Sequence, residues 1–278
     1  MTTASERLSR RGVAPSDGRQ DSQERRRKLR KLFRLVRTPL YRRALRLHVA
    51  AAVEHEDTPF KHEFASVIDV GAHHGQFALF TRHRFPHAQL YCFEPLPGAQ
   101  KVIRQVFPQQ ARIEIFDVAL GSDAAATRSM HVSRLDDSSS LLPITERYTT
   151  AFPGTEEATS ISVPVTRLDD IFAEPAPARP CLLKIDVQGY ELEVLRGGER
   201  ILSILRGVDE VFVECSFVEL YAGQALAGEL IAHLWSRGFK LAGVFGVKRD
   251  LAGRCLQADF LFQQSETSMS LARDLGTP

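Results

Sequence analysis

Short apolar runs alternate with polar stretches marked by glycine or proline from about residue 64 to 262. Val67, Ile68 and Val70 suit a strand buried on both faces, and a helix is predicted from Gln76 to about His83. Ala88 to Phe93 reads as a second strand, ending in Glu94-Pro95. A helix from Pro97 to Phe107 and a strand from Arg112 to Phe116, closed by Asp117, follow. Cys181 to Ile185 is a fourth buried strand ending in Asp186, and Val187 to Glu191 leads into a helical run through Leu195. The strand Glu210 to Cys215 precedes a helix at about Ala225 to Arg237, stopped by Gly238. Phe239 to Phe245 and Cys255 to Phe262 make a terminal hairpin. Successive strand-to-helix units imply parallel strands with right-handed crossovers: a doubly wound α/β sheet, whose ligands lie outside the carboxyl ends of the strands.

Two stretches depart from this rhythm. Leu29, Leu32, Phe33, Val36 and Leu40 fall on one face of a helix otherwise crowded with Arg and Lys, and Pro39 kinks or divides it. Thr127 to Val132 and Ile161 to Val165 read as short strands. The polar loop 134–160 between them is expected to cover the substrate.

Of the 278 residues, 44% are hydrophobic and 25% charged, ordinary for a soluble globular chain. No apolar run approaches the roughly 20 residues needed to cross a bilayer, and residues 1–23 lack the apolar core of a secretory signal. The four cysteines show no metal-like spacing, so a reducing cytoplasm with buried thiols is expected. The net charge of +2 conceals an asymmetry. Residues 1–48 hold 15 Lys+Arg against 4 Asp+Glu, a net +11, and the rest holds 21 against 30, a net −9. The expected organisation is a disordered tail (1–23), a basic amphipathic extension (24–60), a main domain (61–263) and a flexible tail (264–278). The extension has three readings. Docking on the domain is preferred over contact of residues 24–48 with an anionic membrane surface. Nucleic acid is disfavoured, because no interleaved aromatics offer stacking. A homo-oligomer is compatible with the sequence.

The chemistry concentrates at strand ends. Gly71 and Gly75 let the turn after the first strand bring backbone N–H groups close to a ligand, the geometry of a nucleotide-type site. The turn lacks the G-x-G-x-x-G pattern suited to a pyrophosphate. Asp69, Glu94 and Asp117 would line one edge, and Glu94 is placed to accept hydrogen bonds from a ribose diol.

Taken together, Asp69-Val70-Gly71-Ala72-His73-His74-Gly75, Phe93-Glu94-Pro95, Asp117-Val118-Ala119-Leu120-Gly121, Leu183-Lys184-Ile185-Asp186-Val187-Gln188-Gly189-Tyr190-Glu191 and Val213-Glu214 resemble the FkbM family of S-adenosylmethionine-dependent methyltransferases. The resemblance runs from about Phe64 to Phe262. It implies a Rossmann-like class I methyltransferase: a seven-stranded, mostly parallel sheet with an antiparallel last strand and helices on both faces. It further implies that Gly71, Ala72, His73 and Gly75 cradle the methionine part of S-adenosylmethionine. Asp69 would anchor that turn or the amino group. Glu94, next to Pro95, would hold the ribose, and Asp117 with the Val118-Ala119 backbone would meet the adenine. The family usually has Asn at His73 and an acidic residue at Gln188; the second difference removes a negative charge beside Asp186.

Methyl transfer to a hydroxyl is an in-line displacement that needs alignment and a means of removing the hydroxyl proton. Asp186 is the first candidate. It could hydrogen-bond the cofactor, accept that proton or ligate Mg2+, and the sequence leaves these open. Glu191 and Glu214 are weaker candidates, with Glu214 alternatively a buried partner for Lys184; His73, His74 and His131 could also serve as base. Ser138, Ser139 and Ser140 of the loop, with Glu191 and Glu214, are the expected acceptor contacts. The expected activity is O-methylation of a small hydroxylated acceptor, a sugar or glycan unit or a polyketide-type metabolite. The alternatives are a nucleic-acid or protein methyltransferase docking through the basic extension, and a non-catalytic cofactor-binding protein.

Overall fold

The computed structural model describes residues 33–108, 112–123, 127–203 and 207–265. In chain order the strands are β1 (Ser66–Val70), β2 (Gln89–Phe93), β3 (Ile113–Phe116), β4 (Ala119–Leu120), β5 (Arg128–Ser133), β6 (Glu157–Val163), β7 (Val165–Thr166), β8 (Cys181–Ile185), β9 (Glu210–Ser216), β10 (Phe239–Arg249) and β11 (Cys255–Gln264). Seven of them form one sheet in the order β10-β11-β9-β8-β1-β2-β3. β1, β2, β3, β8 and β9 run parallel, and β11 enters antiparallel between β9 and β10. The strand order reverses at β1, which lies between β2 and β8. The crevice at the carboxyl ends of β1 and β8 is therefore where an open sheet of this kind takes its ligand.

Both faces of the sheet are covered, which is why its central strands read as continuous apolar runs. Ile68, Val70, Leu183, Ile185, Val211 and Val213 pack with residues of the helices Glu191–Arg196 and Ala227–Ser236. Val67, Leu90, Leu182 and Phe212 pack with the helices Gln76–Arg84 and Pro97–Val106 on the other side. Each fully buried aliphatic or phenyl group here contributes about 1.5–3 kcal/mol.

The basic extension is described from residue 33. Residues 33–37 are helical, Thr38 is extended (φ −84°, ψ 117°), and a second helix runs Pro39–Leu45. Pro39 thus divides the helix. The buried positions differ from the expected face: Leu35, Tyr41 and Ala44 join the core, whereas Phe33 and Val36 are exposed. The segment 33–37 meets the core through Leu35 alone, and Leu40, beyond the break, is half-buried against it; the spacing of apolar residues marks a candidate face but does not fix which side docks. The Tyr41 ring meets His83 edge-on at 5.2 Å, joining the extension to the helix after β1. Leu29 and Leu32, the disordered tail expected at 1–23 and most of the tail from 264 lie outside the described residues.

The stretch 134–160 is more structured than an open loop. It holds a 3-10 turn at Asp136–Ser138, a helix at Glu146–Ala151 and the first residues of β6. Thr145 caps that helix, its side chain accepting from Tyr148 N–H. Tyr148 packs at 4.8 Å from Tyr221, tying the stretch to the segment after β9. Among the described residues no helix is long and apolar enough to cross a membrane.

Candidate active site

The turn after β1 is shaped by close approach. Gly71 (φ +76°) lies where a Cβ would come within 1.8 Å of the Asp186 carbonyl oxygen, so the tips of β1 and β8 touch only because residue 71 has no side chain. Gly71 and Ala72 N–H groups both donate to the Phe93 carbonyl at 3.0 Å, fastening the turn to β2. Asp69 is fully buried beneath it and faces Lys184, with Oδ1 3.0 Å from Nζ. Lys184 Nζ in turn donates to the Gly71 carbonyl at 2.9 Å. Asp69 therefore acts on the turn through Lys184 and does not line the cavity, and Glu214 is not the partner of Lys184. Burial works against the Lys184 ammonium, but Asp69 and Asp186 outweigh it and hold its pKa above the usual lysine value.

Glu94 sits at the tip of β2, buried, with Oε2 accepting from His73 N–H and Oε1 from Leu96 N–H, both at 2.8 Å. Burial pushes its carboxyl up, against those two hydrogen bonds. Asp117 behaves differently. It turns to solvent, where Arg104 Nη2 donates to both its oxygens at 2.6 and 2.9 Å, and it does not reach the cavity that Val118 and Ala119 line.

At the tip of β8, Gln188 gathers several elements. Its Nε2 donates to Asp186 Oδ1 at 2.7 Å and to Glu214 Oε2 at 3.2 Å, and its Oε1 accepts from Tyr221 at 2.8 Å and Tyr148 at 3.4 Å. Ser140 donates to the Gln188 carbonyl at 2.6 Å, and Tyr148 donates to the Ser138 hydroxyl at 3.1 Å. Lys248 from β10 lies 3.4 Å from Glu214 Oε1. Burial and then Asp186 raise the Glu214 pKa; burial, Glu214 and Asp186 push Asp259, behind them, up to about 8. Glu191 is buried away from the cavity, accepting the Val187 and Gly189 N–H groups at 3.1 and 3.0 Å, so it supports the turn instead of meeting an acceptor.

These groups surround one cavity of about 340 Å3. Gly71, Ala72, His73, Glu94, Pro95, Val118, Ala119, Ser138, Ser139, Asp186 and Glu214 line it, whereas Asp69, Gly75, Asp117, Ser140 and Glu191 do not. Sequence reasoning missed Ala52, Glu54 and His55, which the extension brings to the same wall, and Tyr148, Lys184 and Lys248. The offset of positive charge from the main domain gave no sign that residues 52–55 reach a site. His131, offered as a base, is engaged with Glu157 at 2.8 Å. His73 and His74 meet Asp136 at 2.9 and 3.2 Å. Among the described residues, those three form the sole group of convergent metal-type donors, and Asp186 belongs to none. Gln188 Nε2, an amide donor with no lone pair to offer a metal, takes Asp186 Oδ1 and Glu214 Oε2.

A sheet of this order, switching at β1, places the carboxylate-lined cavity outside the tips of β1, β2 and β8, where open α/β sheets take nucleotide-type ligands. Residues 69–241 match the model of the methyltransferase FkbM domain. The chain belongs to that family. It is 32% identical over 164 residues to the 2-O-methyltransferase NoeI of Sinorhizobium fredii, covering 57% of this chain and 66% of that protein, just under two thirds. It is 28% identical over 195 residues to the 31-O-demethyl-FK506 methyltransferase FkbM of Streptomyces tacrolimicus, covering 62% and 72%. The crystal structure of a methyltransferase FkbM from Methylobacillus flagellatus aligns with 14% identity and a TM-score of 0.47, covering 74% of this chain and 45% of that one.

Proposed function

We propose that the protein transfers a methyl group from S-adenosylmethionine to a hydroxyl of a small acceptor, a sugar or glycan unit or a polyketide-type metabolite. The observation that carries this is the single cavity in which the glycine turn, Glu94 and Asp186 face one another beneath residues 134–160. Its volume lies within the range of small-molecule sites. The glycine at 71 leaves backbone where a side chain would otherwise stand. The two matched relatives are named for a 2-O-methylation and for methylation of a 31-O-demethyl compound.

When bound, S-adenosylmethionine supplies an electrophilic methyl group on a sulfonium. Gly71, Ala72 and His73 would hold its amino-acid part. Glu94, whose oxygens each keep a free lone pair after accepting one N–H, would take the ribose hydroxyls. Val118, Ala119 and Pro95 would wall the base. On the acceptor side, Asp186 receives the hydroxyl proton, with Gln188 fixing its carboxylate. Ser138, Ser139 and Glu214 orient the acceptor, and residues 134–160 exclude water. Asp186→Asn should lower kcat by roughly 100-fold or more, in the range of a lost general base. Cofactor affinity, measured by calorimetry, should stay within about threefold. A variant with normal kcat would overturn the role of Asp186.

A further inference from the structure

His73 and His74 stack with ring centroids 3.8 Å apart and planes tilted by 29°. Their Nε2 atoms approach one carboxylate from the other side of the cavity mouth: His73 lies 2.9 Å from Asp136 Oδ1 and His74 3.2 Å from Asp136 Oδ2. One ligand atom from each residue lies within 4.8 Å of the others. We propose that His73, His74 and Asp136 bind a divalent transition cation of the Zn2+ type, which fastens the turn Asp136–Ser138 to the glycine turn after β1.

Bonds of about 2.0–2.2 Å from nitrogen and carboxylate oxygen put neighbouring ligand atoms about 3.0–3.4 Å apart, and the two histidine–carboxylate separations already approach this spacing. Two imidazoles and one carboxylate select Zn2+, Ni2+ or Co2+ over Mg2+ and Ca2+, which prefer oxygen. Gln76, whose amide nitrogen is placed 2.9 Å from His73 Nδ1, holds that ring from behind. With the amide turned over, its oxygen accepts Nδ1–H and leaves Nε2 to the metal. Three protein ligands keep further positions open, and two of them, His73 and Asp136, line the cavity. The inference deepens the proposed function, but its first readout needs neither cofactor nor acceptor.

Tag-free, chelator-treated full-length protein is titrated with Zn2+ by calorimetry and with Co2+ by visible absorption, without S-adenosylmethionine. One equivalent should bind. His74→Ala and Asp136→Asn, the latter at a half-exposed position that should not disturb folding, should each weaken binding at least about tenfold with circular dichroism unchanged. No stoichiometric binding to the wild type, or equal binding by both variants, would overturn the site. A parallel titration of metal-free wild type with S-adenosylmethionine separates the two readings. Cofactor binding with no metal binding sinks only the cation site; metal binding with no cofactor binding supports it and sinks the proposed function.

Discussion

Gln188 Nε2 lies 2.7 Å from Asp186 Oδ1, and the same nitrogen lies 3.2 Å from Glu214 Oε2. An amide donor thus stands between two carboxylates that line the cavity, with its oxygen taken by Tyr221 and Tyr148. An acidic residue here would add a third negative charge and offer no N–H group. Glutamine at this position satisfies both acids and joins β8 to the stretch 134–160.

Gln188→Glu is therefore expected to hurt turnover more than cofactor affinity. Losing the N–H that Asp186 Oδ1 and Glu214 Oε2 share should reduce kcat near neutrality by about tenfold, while cofactor affinity measured by calorimetry stays within about threefold. An unchanged kcat would remove Gln188 from the positioning of Asp186.

The Asp69–Lys184 pair should be costly to break on one side only. Lys184→Met leaves the Asp69 carboxylate buried without its cation, a situation that costs about 3–5 kcal/mol. Urea unfolding of Lys184→Met should show that loss. The double variant Asp69→Asn/Lys184→Met should recover a large part of it, because no charge is then stranded. Equal instability of single and double variants would mean that the shape of Lys184, and not its charge, holds the turn.

Stability should fall as pH rises through neutrality. Burial pushes the Glu191 carboxyl up to about 8 from an ordinary 4.5. A carboxyl whose folded pKa is raised gives stability present in full below the unfolded value and lost as pH climbs to the folded one. The window therefore runs from about 4.5 to about 8. The thermal midpoint should drop between about pH 4.5 and about pH 8, and Glu191→Gln should shrink that drop. Asp259, with its carboxyl also at about 8, leaves a residual slope in the variant.

The sheet and the tips of β1, β2 and β8 were legible because burial on both faces writes short, mostly apolar runs with an acid inside or just after each. What those acids do was less so. Asp69, Glu94 and Asp117 look alike in the chain. Yet Asp69 faces inward to Lys184, Glu94 faces the cavity, and Asp117 turns out to Arg104. Periodicity fixes which face of a strand a residue takes, not which long side chain from a neighbouring element reaches it. The meeting of His73 and His74 with Asp136, and the arrival of Ala52, Glu54 and His55 at the cavity, depend on how non-strand segments fold back. No local pattern encodes that. In the N-terminal helix Leu35 docks while Phe33 and Val36 stay exposed, because which side of so short a segment meets the core is decided by tertiary packing and not by the spacing of its apolar residues.

In the proposed function the cavity at the tips of β1 and β2 holds S-adenosylmethionine with Glu94 on the ribose. Calorimetric titration of wild type and Glu94→Ala with S-adenosylmethionine tests it most directly. A hydrogen-bonded charged group contributes about 1.5–3 kcal/mol, so the variant should bind about 10- to 150-fold more weakly than a wild type that takes one equivalent. Equal affinity in the two proteins, or no binding by the wild type, would contradict the account.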